Sequence, residues 1–340
     1  MTVTTTSART TPGNDSPSGV ERENVLTKLL MRQETTLVLV MLVIGVIASS
    51  RSDLFLSNSN LTEVFRSSVI YFVMACGAAL LIIGGGLDFS AGAVFTLSSL
   101  LTAKMLVGGV PWPVAVLAGL AICCVVGSVN FAIITYLHVP PIIATLGTSY
   151  MLTGVDTLIT GGLDVLPLPD SFQRLGQGNI AGVPNVVLIA IAVGIVFWFV
   201  LERTRFGVNV RALGGNRQAA VGNGLRVVRL DLALYAIAAA SAALAGMIYS
   251  ARVGAGQVTA GGTSTTLIAI TAVLIGGVSL QGGMGNIQGI AVGAVLLSLI
   301  DNALVLSRIP PQYNTIVVGA ILVCAVAIDY LRRGRIYRKR

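Results

Sequence analysis

This 340-residue chain has one histidine, three lysines, four cysteines and two tryptophans, and only 11% of its residues are charged. Each shortage removes a kind of chemistry. A P-loop needs a lysine behind a glycine, because the ammonium group reaches the phosphates. Here Lys28, Lys104 and Lys339 follow Thr27, Ala103 and Arg338, so the chain is no Walker-type ATPase. His138 is alone, which excludes multi-histidine metal sites, and no HExxH, GxSxG or paired-carboxylate arrangement occurs. Gly214-Gly215 lacks the strand and the further glycine of a dinucleotide site. Cys76, Cys123, Cys124 and Cys324 lie in apolar runs without disulfide or metal-ligand spacing, and read as packing residues. The chain is therefore expected to be no enzyme, and to hold no metal and no cofactor of its own.

The scarcity of charge also sets the solvent. Soluble domains carry roughly 25% charged residues. With 54% apolar residues and a mean hydropathy of +0.86, this chain must face lipid. A spanning helix needs about 20 apolar residues. Segments suited to that role are 35–50, 67–85, 89–107, 113–137, 141–160, 183–201, 231–251, 263–280, 286–306 and 312–330. The expected fold is an all-α polytopic membrane protein of about ten transmembrane helices, with broken or re-entrant segments at the glycine clusters. Residues 1–34 are rich in Thr, Ser and Pro and read as a disordered cytoplasmic tail, 35–330 as the transmembrane domain, and 331–340 as a basic tail. Segment 35–50 is short enough to resemble a signal-peptide core, but its long polar leader and Glu34 argue against cleavage.

An even number of spans places both termini on one side. Four bases lie in the N-terminal tail, six between Arg203 and Arg229, and six after Leu331. Arg51, Arg66, Lys104, Arg174, Arg252 and Arg308 fall at the opposite ends of the spans. This asymmetry puts the termini and the 203–230 loop in the cytoplasm. The net charge of +8 sits beside helix ends, which suits lipid headgroups and not nucleic acid.

The polar exceptions are the candidate sites. Asp88 follows Gly84-Gly85-Gly86 among apolar runs. It has two readings, a cap on the next helix or a lining residue of a solute path, with Ser90 and Gly92 beside it. Thr145-Leu146-Gly147-Thr148 suits close helix packing or the same path. Asn130 and Asn302 either bond across helices or bind a polyhydroxylated solute. Asp156 is expected near the outer end of its helix, in reach of water, and His138 at a solvated boundary. The 203–230 loop carries Arg203, Arg205, Arg211, Arg217, Arg226 and Arg229 and reads as a short polar helix opened by a turn at Gly214-Gly215. A loop this long with its own helix suits docking.

Four segments in order carry a resemblance. They are Gly84-Gly85-Gly86-Leu87-Asp88-Phe89-Ser90-Ala91-Gly92-Ala93; Pro141-Ile142-Ile143-Ala144-Thr145-Leu146-Gly147-Thr148 with Thr160-Gly161-Gly162; Ala212-Leu213-Gly214-Gly215-Asn216 with Gln218-Ala219-Ala220 and Gly224; and Ile275-Gly276-Gly277-Val278-Ser279-Leu280-Gln281-Gly282-Gly283-Met284-Gly285. From about residue 55 to 329 the chain resembles the membrane permease of bacterial ribose-type sugar importers of the ATP-binding-cassette class. The resemblance implies a cytoplasmic coupling helix in which Gly214, Gly215, Asn216, Arg217, Gln218, Ala219, Ala220 and Gly224 meet a separate ATPase. That ATPase would bind ATP and Mg. It implies a second permease subunit, identical or related, an extracytoplasmic solute-binding protein, a bacterial plasma membrane, and a monosaccharide or polyol as cargo. Two departures stand out: Gln218 where an acidic residue is usual, and Val221-Gly222-Asn223-Gly224 in place of Arg-Leu-Ser-Gly. Branched-chain amino acid permeases share the general fold, so that cargo stays open, as do an ion-coupled secondary transporter and a noncatalytic membrane scaffold.

Overall fold

The computed structural model describes residues 33–310 and 312–337. Its helices are α1 (Gln33–Ser49), α2 (Asn58–Ile83), α3 (Ala91–Val107), α4 (Trp112–Tyr136), α5 (Pro141–Thr160), α6 (Asp170–Gln177), α7 (Asn185–Arg203), α8 (Arg205–Gly215), α9 (Arg217–Gly222), α10 (Val227–Val253), α11 (Thr263–Ile275), α12 (Ile287–Leu306) and α13 (Gln312–Tyr337). A two-stranded antiparallel hairpin, β1 (Asn179–Ile180) and β2 (Val183–Pro184), lies between α6 and α7. Helices α2, α4, α5, α7, α10 and α12 are long and apolar enough to cross a membrane. The apolar stretches Thr35–Ser49, Ala91–Val107, Thr263–Ile275 and Gln312–Ala327 are shorter. The chain is an all-α polytopic membrane protein in which four shorter apolar stretches, in α1, α3, α11 and α13, accompany the long helices.

Helix α10 sits at the centre, packed on α2, α3 and α4. Its middle, Ala238-Ala239-Ala240-Ser241-Ala242-Ala243, is small, so neighbouring backbones approach closely. A Cβ on Gly77 would lie 2.4 Å from the Ser241 Cβ, and one on Gly127 2.4 Å from the Tyr235 carbonyl oxygen. Ser241 uses its hydroxyl across the same seam: it accepts from Gly77 N at 3.2 Å and donates to the Val73 carbonyl. In lipid, tight packing and such bonds replace the hydrophobic effect between helices.

Helix ends differ from the apolar segments for identifiable reasons. Helix α2 begins at Asn58, nine residues before the apolar run, because the Ser57 side chain caps it by accepting from Asn60 N. Helix α11 stops at Ile275 and not at 280. Gly276 is pressed onto α12, where a Cβ would stand 2.6 Å from Ile290 N, and Gly277 turns left-handed with φ +91°. Residues 331–337, expected as a tail, continue α13. The 1–34 tail lies outside the described residues apart from Gln33 and Glu34, which open α1.

Two ends of the bundle are chemically distinct. At one, Arg252 near the end of α10 pairs with Glu63 near the start of α2, and α6 lies against the same turn, with Gly176 so close that a Cβ would be 2.2 Å from Arg252 N. Residues Val165 and Gly256 bridge there too. At the other end, Arg217 pairs with Asp231 at 2.5 Å beside the C-terminal end of α2.

Candidate functional site

The break between α2 and α3 folds into a buried polar cluster. Asp88 Oδ1 accepts from Ser90 N at 2.7 Å and from Ser90 Oγ at 2.6 Å, an Asx-type turn that leads into α3. Asn130 of α4, fully buried, donates from Nδ2 to Ser90 Oγ at 2.8 Å. Thr145 Oγ1 of α5 accepts from Phe89 N at 3.0 Å and donates to the Pro141 carbonyl. Asp88, Ser90 and Asn130 thus share one network, and Thr145, from a third segment, holds the Phe89 N–H between Asp88 and Ser90. Two acceptors in it, Asp88 Oδ2 and Asn130 Oδ1, are buried without a partner. Asp88 also lines a small cavity of about 10 Å³ with Met74, Ala78, Leu81, Ile82 and Ala238, the size of one water.

Gly92 lies a half-turn further along α3, where the starts of the short helices α3 and α11 meet. Gly92 N donates to Thr266 Oγ1 at 2.8 Å, Gly262 N donates to the Gly92 carbonyl at 3.1 Å, and a Cβ on Gly92 would stand 1.9 Å from Gly262 O. Helices of 17 and 13 residues cannot each cross about 30 Å at 1.5 Å per residue. Their N-terminal ends, each with positive dipole character, converge inside the protein beside Asp88. Sequence reasoning missed Thr266; the hydroxyl run Thr263-Ser264-Thr265-Thr266 after Gly261-Gly262 was the available signal. Thr148 is buried on α5 and bonds only to the Ala144 carbonyl of its own helix. Asn302 stands apart from the network. It exchanges two hydrogen bonds with Asn60, at 2.9 and 2.7 Å, joining α12 to α2.

The 203–230 loop holds two helices where the sequence suggested one. Gly214-Gly215 close α8 and do not open the next helix. Asn216 is the N-cap of α9, with its side chain accepting from Ala219 N at 2.9 Å. Gly215, Asn216, Arg217, Gln218 and Ala219 are exposed, as are Val221, Gly222, Asn223 and Gly224. Ala220 is buried and faces the protein's own interior, and Gly214 seats against the end of α2, where a Cβ would stand 1.8 Å from Ile83 O. Those two residues therefore pack inward and leave the outward surface to their neighbours. Arg211 pairs with Glu202 and donates to the Gly285 carbonyl at 3.1 Å.

Two further expectations need correction, and one surface residue is new. Asp156 is buried, 2% exposed, because α5 turns that side toward the bundle. Cys324 is exposed on α13 and does not pack in the core, whereas Cys76 and Cys123 do. Met284, in the turn beside Gly215, is half exposed and was not anticipated as part of the surface around α9. Among the described residues no cluster of three or more His, Cys, Asp or Glu could hold a metal ion.

Residues 60–326 match the family described as branched-chain amino acid transport system / permease component, and the chain belongs to that family. Members are permease subunits of ATP-binding-cassette transporters, which are not enzymes and bind no cofactor themselves; this chain is a multi-pass membrane permease. Its relatives include the ribose import permease protein RbsC of Bacillus subtilis (strain 168), 34% identical over 289 residues that cover 84% of this chain and 89% of that protein. The D-allose transport system permease protein AlsC of Escherichia coli (strain K12) is 30% identical over 297 residues, 87% of this chain and 91% of that one. The galactose/methyl galactoside import permease protein MglC of Haemophilus influenzae (strain ATCC 51907 / DSM 11121 / KW20 / Rd) is 32% identical over 325 residues, 90% and 96% of the two chains. No solved structure matches the chain.

Proposed function

We propose that this chain forms the translocation pathway of an importer for a monosaccharide or polyol in a bacterial plasma membrane, driven by a separate ATPase. The relatives named for ribose, allose and galactose support the cargo class. The single observation that carries the coupling part is the exposed, well-capped helix α9, held on one end of the bundle by the Arg217–Asp231 pair and by Gly214. Gly215, Asn216, Arg217, Gln218, Ala219 and Gly224, with the exposed Val221 and Met284, form the docking face, and the small Gly215 and Ala219 allow close approach. The positive-inside rule places this face, Gln33 and Tyr337 in the cytoplasm.

A second permease, identical or related, completes the pathway; an extracytoplasmic solute-binding protein delivers the sugar; ATP and Mg stay on the ATPase. All ten apolar helices enter the membrane, the short α3 and α11 as half-spans whose ends meet at Gly92. Asp88, Ser90, Gly92, Asn130 and Thr145 form the polar part of the route, with Thr148 as a packing residue beside it and Asn302 as an interhelical bond outside it. Closure of the ATPases moves α9, and the helices rearrange so that the route changes the side it faces. The sugar undergoes no chemistry.

The test is copurification with the cognate ATPase in detergent, comparing native protein with Gly215→Leu/Ala219→Glu. A folded double variant that loses the ATPase supports the docking face; undiminished binding refutes it. The family description favours one second reading, a branched-chain amino acid as cargo. Uptake of labelled ribose, competed by allose, galactose or leucine, decides between them.

A further inference from the structure

Three glycine-rich segments far apart in the chain meet at one backbone atom, the Ile83 carbonyl oxygen at the end of α2. Gly283 N donates to it at 2.8 Å. Gly214 lies so near that a Cβ there would be 1.8 Å from the same oxygen and 2.6 Å from Gly283 N. Gly282 and Gly283 are both left-handed, at φ +81° and +77°, and a Cβ on each would reach the Cα of Gly214 at 2.9 Å and of Gly215 at 3.0 Å. Arg211 secures the turn from α8 through the Gly285 carbonyl. Backbone here rests on backbone, with no rotamer to absorb a displacement, and close-packed interiors transmit strain. Gly215 is the opposite case: its open side meets nothing within 4 Å.

We infer that Gly214, the 282–285 turn and Arg211 form a rigid joint that delivers movement of α8 and α9 directly to the end of α2, and from there to the 84–90 segment that carries Asp88. This rests on the coupling reading of the loop and deepens it. By chain connectivity alone, motion would reach the bundle only through α7 and α10. The joint adds a third route, and its end point is the break leading into α3. Gly214 and Arg211 are positioning residues in this scheme; neither meets the ATPase or the solute. Two adjacent glycines thus have opposite duties, Gly215 outward and Gly214 inward.

The experiment reconstitutes native and variant complexes with the ATPase and solute-binding protein in proteoliposomes, and measures ATP hydrolysis and labelled ribose uptake together. Gly214→Ala forces α8 and the end of α2 apart. It should still copurify with the ATPase and hydrolyse ATP, but move about tenfold less ribose per ATP, within the range of coupling between distant sites. Native uptake per ATP in this variant overturns the joint and leaves the docking reading intact. Arg211→Gln fills no space and guards against misfolding of Gly214→Ala. Lowered ribose per ATP at an unchanged melting temperature, restored by Arg211→Lys, supports the joint; unchanged ribose per ATP refutes it. If Gly215→Leu/Ala219→Glu keeps the ATPase, the docking reading fails, separately from the joint.

Discussion

Replacing Asp88 tests what holds the break before α3. One carboxylate oxygen receives both the backbone N–H and the hydroxyl of Ser90, and Ser90 is fully buried. Asp88→Leu leaves both donors without that acceptor. Each orphaned buried donor costs about 1–3 kcal/mol, so the pair costs about 2–6 kcal/mol. The gain from no longer burying a carboxyl moves the net toward the lower end. At about 2 °C per kcal/mol for a large domain, the melting temperature should fall by roughly 4–12 °C. Asp88→Asn keeps an acceptor in the Oδ1 position and should lose less than half as much. A convenient assay heats the detergent-solubilised protein, in a Cys124→Ser/Cys324→Ser background that removes the partly exposed and exposed thiols, and follows reaction of the buried Cys76 and Cys123 with a thiol-reactive dye. A Leu variant that melts within about a degree of native, or an Asn variant as damaging as Leu, would mean that Asp88 does not hold this break through its bonds to Ser90. Uptake by a stable Asn variant then isolates any need for the charge itself: a folded protein that no longer moves ribose places Asp88 on the solute route.

Other outcomes follow from the packing. Asn302→Leu leaves Asn60 Oδ1 without its donor, while Asn60 Nδ2 keeps the Phe55 carbonyl, and should destabilise by about 1 kcal/mol; a double-mutant cycle with Asn60→Leu should return a coupling of about 0.6–1.7 kcal/mol, as for other interhelical bonds in membranes. Zero coupling in detergent unfolding would mean that the pair contributes nothing. Gly246→Ala sets a Cβ 2.1 Å from Phe95 O and 2.4 Å from Ser98 Oγ where α10 packs on α3, and should cost about 1–3 kcal/mol by overpacking. Gly154→Ala, with nothing within 4 Å, should be neutral or gain up to about 1 kcal/mol. Equal melting temperatures for these two glycine variants would contradict the contact geometry.

Much of the architecture was legible because it depends on local composition. Uncharged runs of the right length locate the long helices, and arginine clusters mark their ends. The errors lie where a boundary depends on a partner. Gly276-Gly277 offers a local stop for α11, but that the chain does stop there depends on Gly276 meeting α12, eleven or more residues on. Asp156 looked able to reach water because its depth depends on how α5 is rotated, and that follows from packing on α3. Gly214-Gly215 resembled a helix opening, yet they close α8; the sequence holds the turn without its direction.

The candidate site shows the same division. Composition alone determined that this chain works in lipid, has no Walker motif of its own, and concentrates its polar residues and glycines in a few segments, since solvation energy is a property of each stretch of residues. Only the tertiary structure decided that Asp88, Ser90 and Asn130 share one hydrogen-bond network with Thr145 bonded to the adjoining Phe89 N–H, that Asn302 stands outside it, and that Gly214 faces inward beside an outward Gly215. Those relations depend on contacts between segments 40 to 242 residues apart, where a shift of an ångström or two makes or breaks a hydrogen bond or a backbone contact.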